Sequence, residues 1–200
     1  MLTWKTLRAA MLALVAPLAL GASHPDYTFV VEPQSRLWIS GTSTLRSFEC
    51  DARTFDLQVH ATGAAPVEAV LEARRAVTSV AVRVPAAELD CHNGTMNKHM
   101  LKALKADQHG EITFDVDTYE LIPGSEGALA RLTGTLAMGG ASKAVVVESE
   151  ARAAQEGVLH VVGRHEVTMS ELGLKRPSLM LGTLKVGDKV IVHFDLYLKA

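Results

Sequence analysis

At 200 residues, with 20 Lys and Arg against 22 Asp and Glu, the chain is long enough to bury a real core and carries almost no net charge. No basic patch interleaved with aromatics occurs along it. That argues against nucleic acid or an anionic membrane surface as a partner.

The first residues read as a targeting segment. Lys5 and Arg8 form a positive start, 9–20 an apolar run broken by Pro17, and Gly21, Ala22 and Ser23 a small-residue cleavage region. The run is too short for a membrane span and gives way at once to polar His24-Pro25-Asp26. Residues 1–23 are expected to be a cleaved secretory signal and 24–200 a single exported domain, periplasmic or secreted, with no stable membrane span. No lipobox cysteine is present. Cys50 and Cys91 are the only cysteines, and an oxidising compartment favours a bridge between them over free thiols or a metal pair without CxxC spacing.

Residues 27–32 predict a first strand, stopped by Pro33, and 35–42 a second. Phe48 and Cys50 lie at even positions, while Phe55, Leu57 and Val59 lie at odd ones. A slip of phase near Arg53 is how a β-bulge looks in sequence. After a turn at Thr62-Gly63 and Pro66, 67–85 predicts one long or two short strands. Residues 88–94 are a loop carrying Cys91, and 95–106 is the one convincing helix, capped by Thr95, with Met96, Met100, Leu101 and Leu104 at helical spacing. Strands follow over 111–121, 129–138, 144–153, 158–169 and 189–199, separated by Pro123-Gly124, Gly139-Gly140 and Glu156-Gly157. The last is the clearest. Val190, Val192, Phe194, Leu196 and Leu198 share one face, and Lys189, Ile191, His193, Asp195, Tyr197 and Lys199 the other. In 158–169, Leu159, Val161, Gly163, His165, Val167 and Met169 repeat the parity. Such strands end in a sandwich or a closed barrel, and closure removes edges that would template aggregation.

The polar residues are poorly organised for catalysis. No HExxH, GxSxG, P-loop or dinucleotide motif is present. His92 and His99 are seven apart across a loop–helix junction, and His160 and His165 fall on opposite strand faces, so neither pair makes a metal site. Asp115 and Asp117 share a face that reads as solvent, and Asn93-Gly94-Thr95 is both a glycosylation sequon and ordinary turn chemistry. The distinctive residues are apolar: Met96 and Met100 on the helix, and Leu172, Leu174, Leu179, Met180 and Leu181 in a late loop. An eight-stranded barrel has room for its own side chains or one small ligand, and a Met- and Leu-rich lid suits a ligand.

The order of motifs resembles the YceI-like family of exported, lipocalin-like barrels that bind polyisoprenoids. Ser35-Arg36-Leu37-Trp38-Ile39 with 43–48 resembles its opening hairpin. Met100-Leu101-Lys102-Ala103-Leu104-Lys105 followed by Glu111-Ile112-Thr113-Phe114 resembles its helix and next strand. The most specific match is Leu132-Thr133-Gly134-Thr135-Leu136 with Gly140-Ala141-Ser142-Lys143-Ala144-Val145. Residues 173–177 with Leu184-Lys185-Val186-Gly187-Asp188-Lys189-Val190 resemble its C-terminal signature. Segments 89–94 and 105–109 depart from the family pattern. The resemblance implies an all-β fold: an antiparallel up-and-down lipocalin-like barrel of about eight strands, with one short helix near the mouth. It implies a non-enzymatic binder or carrier of a long apolar lipid, without a cofactor beyond a bound isoprenoid or similar chain. The wall is expected to include Leu37, Ile39, Phe48, Met100, Leu104, Phe114, Leu136, Val161, Met180, Val192 and Phe194. The alternative is an interaction or stress-related protein whose barrel is filled by its own side chains and which works through a protein partner. Homodimerisation is open to either.

Overall fold

The alternating pattern becomes a ring of antiparallel strands in the computed structural model, which describes residues 25–179 and 184–200. The expected signal segment and Met180 lie outside the described residues. Thirteen strands are present among them. The chain begins with β1 (Asp26–Thr28), β2 (Val30–Val31), β3 (Arg36–Ser43), β4 (Ser47–Ala52) and β5 (Asp56–Thr62). Helix α1 (Pro66–Leu71), β6 (Val77–Pro85), β7 (Leu89–Asp90) and helix α2 (Gly94–Ala103) follow. The long strands β8 (Glu111–Pro123), β9 (Gly127–Met138), β10 (Ala141–Gln155) and β11 (Val158–Thr168) come next, then β12 (Ser178–Leu179) and β13 (Leu184–Lys199).

The count exceeds the expected eight for a local reason. Strands β1, β2 and β3 are successive pieces of one run, interrupted at Phe29 and around Pro33, while β4 and β5 are pieces of another, interrupted at 53–55. The second interruption is where the sequence phase slips, and it is a three-residue break rather than a one-residue bulge. Strands β7 and β12 add only two residues each. What remains is an up-and-down ring of eight long runs. Its closure is carried by 26–31: β1 pairs with β5 on one side, and β2 with β13 on the other, Val31 opposite Leu198. Strand β3 continues along β13, with Trp38 opposite His193 and Leu37 opposite Phe194.

One expectation fails at 67–71. The sequence predicts a strand there after a turn at Pro66, but Pro66–Leu71 is helix α1. Pro66 sits in its first turn, where a fixed φ and a missing N–H suit a helix start. Val67 and Val70, three apart, are buried together against Phe29, Leu57, Leu159 and Leu198. The helix thereby stops the lower end of the barrel. The second correction is smaller. Helix α2 is capped by Asn93, not Thr95: the Asn93 side chain accepts a 3.0 Å hydrogen bond from the Met96 N–H.

Helix α2 lies over the opposite end. Asn97 ties it down twice, accepting from the Cys91 N–H at 2.8 Å and donating to Asp90 at 2.9 Å. Cys50 on β4 and Cys91 before α2 are joined by a disulfide. Met100, Ala103 and Leu104 then pack with Leu172 and Leu174 on an upper core, and Gly139 at the β9–β10 tip approaches Leu104 and Leu174. The expected parity holds along β5, where Leu57, Val59 and Ala61 are buried while Asp56, Gln58 and His60 are exposed.

Candidate functional site: an apolar barrel cavity

Between the two cores runs a cavity of about 790 Å³, within the ~300–1,000 Å³ common for small-molecule sites. Its upper wall is built from Leu37 and Ile39 on β3, Phe48 on β4, Met100 and Leu104 at α2, Phe114 on β8 and Leu136 on β9. Val161 on β11, and Val192 and Phe194 on β13, complete the expected set. All of these line one space. The other expected wall residue, Met180, lies outside the described residues. The cavity also continues below them, along Phe29, Leu57, Val59, Val70, Leu159 and Leu198, to the helix α1 stopper.

Why side chains leave this room is visible at three glycines. A Cβ on Gly41 would lie 2.5 Å from the Phe48 ring, on Gly163 2.3 Å from the Phe194 ring, and on Gly134 2.9 Å from the Phe114 ring. Gly41 is directly opposite Phe48, and Gly163 directly opposite Phe194. Each large ring therefore lies down on a bare stretch of neighbouring wall. With ordinary β-residues at these glycines the rings would be displaced towards the lumen. Sequence parity assigns these phenylalanines to the inner face, but it does not show that they lie flat.

Polar groups are few inside. The Tyr119 hydroxyl is already used, donating to the Val77 carbonyl at 2.9 Å. His165 lines the cavity, and burial pushes its imidazole below the ordinary value, with Val146 backbone contact acting the other way. Ser149 is 7% exposed and is the one buried polar residue among the described residues. At the mouth, Arg46, Asn93, Thr95 and His99 border the opening with the more apolar Leu45 and Met96. Apart from these few groups the wall is mostly hydrocarbon.

On the outer face many polar side chains pair with one another, beside exposed apolar residues such as Ile122, Leu129 and Val146. His160 hydrogen-bonds Asp195 at 2.7 Å and stacks on Tyr197; His193 stacks on Trp38 and shares a 2.8 Å hydrogen bond with Ser40. Asp115 pairs with Arg83 at 2.5 Å. His160 and His165 thus lie on opposite faces. Among the described residues no cluster of three or more His, Cys, Asp or Glu side chains is arranged to hold a metal. The same residues contain no helix long and apolar enough to cross a membrane.

Comparison with known proteins agrees with this architecture. BcnA of Burkholderia cenocepacia superposes with a TM-score of 0.65 at 18% identity, covering 84% of this chain and 99% of that one. A polyisoprenoid binding domain from Saccharophagus degradans, implicated in plant cell wall breakdown, gives 0.60 at 12% identity, covering 86% and 97%. A Campylobacter jejuni YCEI protein gives 0.59 at 17%, covering 76% and 84%. No functionally curated protein matches the sequence. The family model for the YceI-like domain matches residues 42–198, and the chain belongs to the YceI-like family.

Proposed function

We propose that this protein is an exported, non-enzymatic carrier of a long apolar molecule of the polyisoprenoid class, held inside the barrel in the periplasm or outside the cell. The observation that carries the reading is the cavity: about 790 Å³, bounded by hydrocarbon side chains from every long run of the ring. The S. degradans relative, a polyisoprenoid binding domain, supports this cargo class, and the Cys50–Cys91 disulfide supports an oxidising compartment.

Burying a methylene contributes about 0.8 kcal/mol, so ten to fifteen carbons contribute roughly 8–12 kcal/mol gross before ordering costs. Affinity of that kind discriminates little among tails. Selectivity comes from where the pocket stops, at Val70 of α1, and from the rim of Arg46, Asn93, Thr95 and His99 that a polar head would meet. The cargo enters past α2. Met100 is buried beside Cys91, so a charge there would unfold the upper core. Met96 is half-buried at the mouth and can turn its substituent to water. Met96→Glu is therefore expected to reduce organic-extractable cargo several-fold at equal folded concentration. Undiminished cargo in that variant would remove the entrance route.

A further inference from the structure

Among the described residues, one fully buried hydroxyl in the lumen wall has no protein partner. Ser149 Oγ is buried without a hydrogen bond, on the inner face of β10 between Val147 and Ala151, both buried and both lining the cavity. Across the ladder Ser149 is opposite Gly163, which offers no side chain and is covered by the Phe194 ring. Buried polar groups in native proteins are nearly always paired, and an orphan in an apolar wall is costly. A valine or alanine would fit the pattern of β10 without that cost.

We propose that Ser149 is a polar anchor within the barrel, donating its hydroxyl proton to an uncharged oxygen acceptor, a ketone or ester carbonyl, carried part-way along the apolar cargo. This rests on the carrier reading and narrows its cargo: a plain polyisoprenoid chain is hydrocarbon, so the cargo is an isoprenoid or similar long chain that also bears a carbonyl. The position is internal. Ser149 is roughly 25 Å of strand from the rim at Ala141, at ~3.3 Å per residue, so the acceptor is not a head group left at the mouth. The surroundings select against charge. His165, two residues along β11 from Gly163, also lines the cavity, and its depressed basicity leaves it neutral at neutral pH. Among the described residues the one Lys or Arg that lines the cavity is Arg46 at the mouth, so no lysine or arginine stands beside Ser149 to hold an anion, whereas a carbonyl needs only a donor.

The test uses two probes of equal carbon number, a long n-alkane and the ketone with its carbonyl at mid-chain. Each competes with a fluorescent lipid on the full folded chain after lipid removal. The quantity read is the ratio of the two dissociation constants, in which the differing water solubilities cancel between variants. Ser149→Ala is expected to weaken the ketone by about three- to tenfold relative to the alkane, the size of one net hydrogen bond, with alkane affinity and melting temperature unchanged or raised. Ser149→Cys, of similar size and a weaker donor, shifts the ratio in the same direction. An unchanged ratio, or equal loss for both probes, overturns the anchor while leaving the carrier intact. Failure of both probes to bind the wild type overturns the anchor and the carrier together.

Discussion

Gly41→Ala tests how the cavity is kept open. The three nearest atoms to a Cβ at this position, at 2.5, 2.9 and 3.3 Å, all belong to the Phe48 ring. The ring can leave only by swinging off the wall, and the lumen is where it goes. A six-carbon ring takes the room of roughly four to six cargo methylenes, about 3–5 kcal/mol of gross binding. Stability should change little, because removing a strand glycine recovers about 0.5–1 kcal/mol that offsets the rotamer shift. Gly163→Ala differs. There the new Cβ also meets the Glu148 carbonyl oxygen at 2.6 Å, backbone that cannot swing, so it should cost about 1–3 kcal/mol in overpacking strain. The assay pairs thermal melting with quantified lipid in an organic extract. Gly41→Ala should melt near wild type with cargo sharply reduced, and Gly41→Ala with Phe48→Ala should regain it. Full cargo in the single variant, or no recovery in the double, would refute the idea that rings laid on glycines hold the lumen open.

Other outcomes follow from the same geometry. Reducing the Cys50–Cys91 bridge, which spans 41 residues, should remove roughly 3–4 kcal/mol; alkylation before reduction should label neither thiol, and labelling of both would contradict the bridge. Leu159→Ala, at a 4% exposed position under α1, should cost about 2–5 kcal/mol by denaturant unfolding, whereas exposed Glu120→Ala should stay within about 0.5 kcal/mol. Burial holds His165 and His193 below their ordinary basicity. The unfolded chain therefore takes up these protons first, and stability present above pH ~6.5 should fall as pH drops through the folded values. His165→Leu should flatten part of that slope. Asp51, Asp90 and Asp188 are held low in the fold, Asp51 by His92 and Arg36 against the opposing effect of burial, Asp90 by Asn97 and Asp188 by Ser170. Their contribution should be lost only in the more acidic window below pH ~4.

Most of the barrel was legible because strand parity is a local signal. Val190, Val192, Phe194, Leu196 and Leu198 announce an inner face without knowledge of their neighbours. The same parity carries further than the wall set expected from it: Leu159, Leu196 and Leu198 share the inner register and line the lower cavity. Helix α1 was missed because Val67, Ala69, Val70 and Leu71 form an apolar run too short to display a period. Only the lower core, which takes Val67 and Val70 together, decides it. The cap on α2 was misread because Asn93 and Thr95 are both good caps, and the choice depends on backbone geometry at 93. The Phe–Gly stacking was illegible for a different reason. Gly41 and Phe48, or Gly163 and Phe194, meet through register across strands, which sequence spacing does not encode.

The most direct measurement is a native mass spectrum of the protein purified from its own host, before and after organic extraction. The expected result is a discrete added mass, lost on extraction and recovered in the extract as a long-chain apolar lipid. A spectrum showing only the polypeptide mass under conditions that retain its fold, with an extract empty of lipid, would contradict the carrier account.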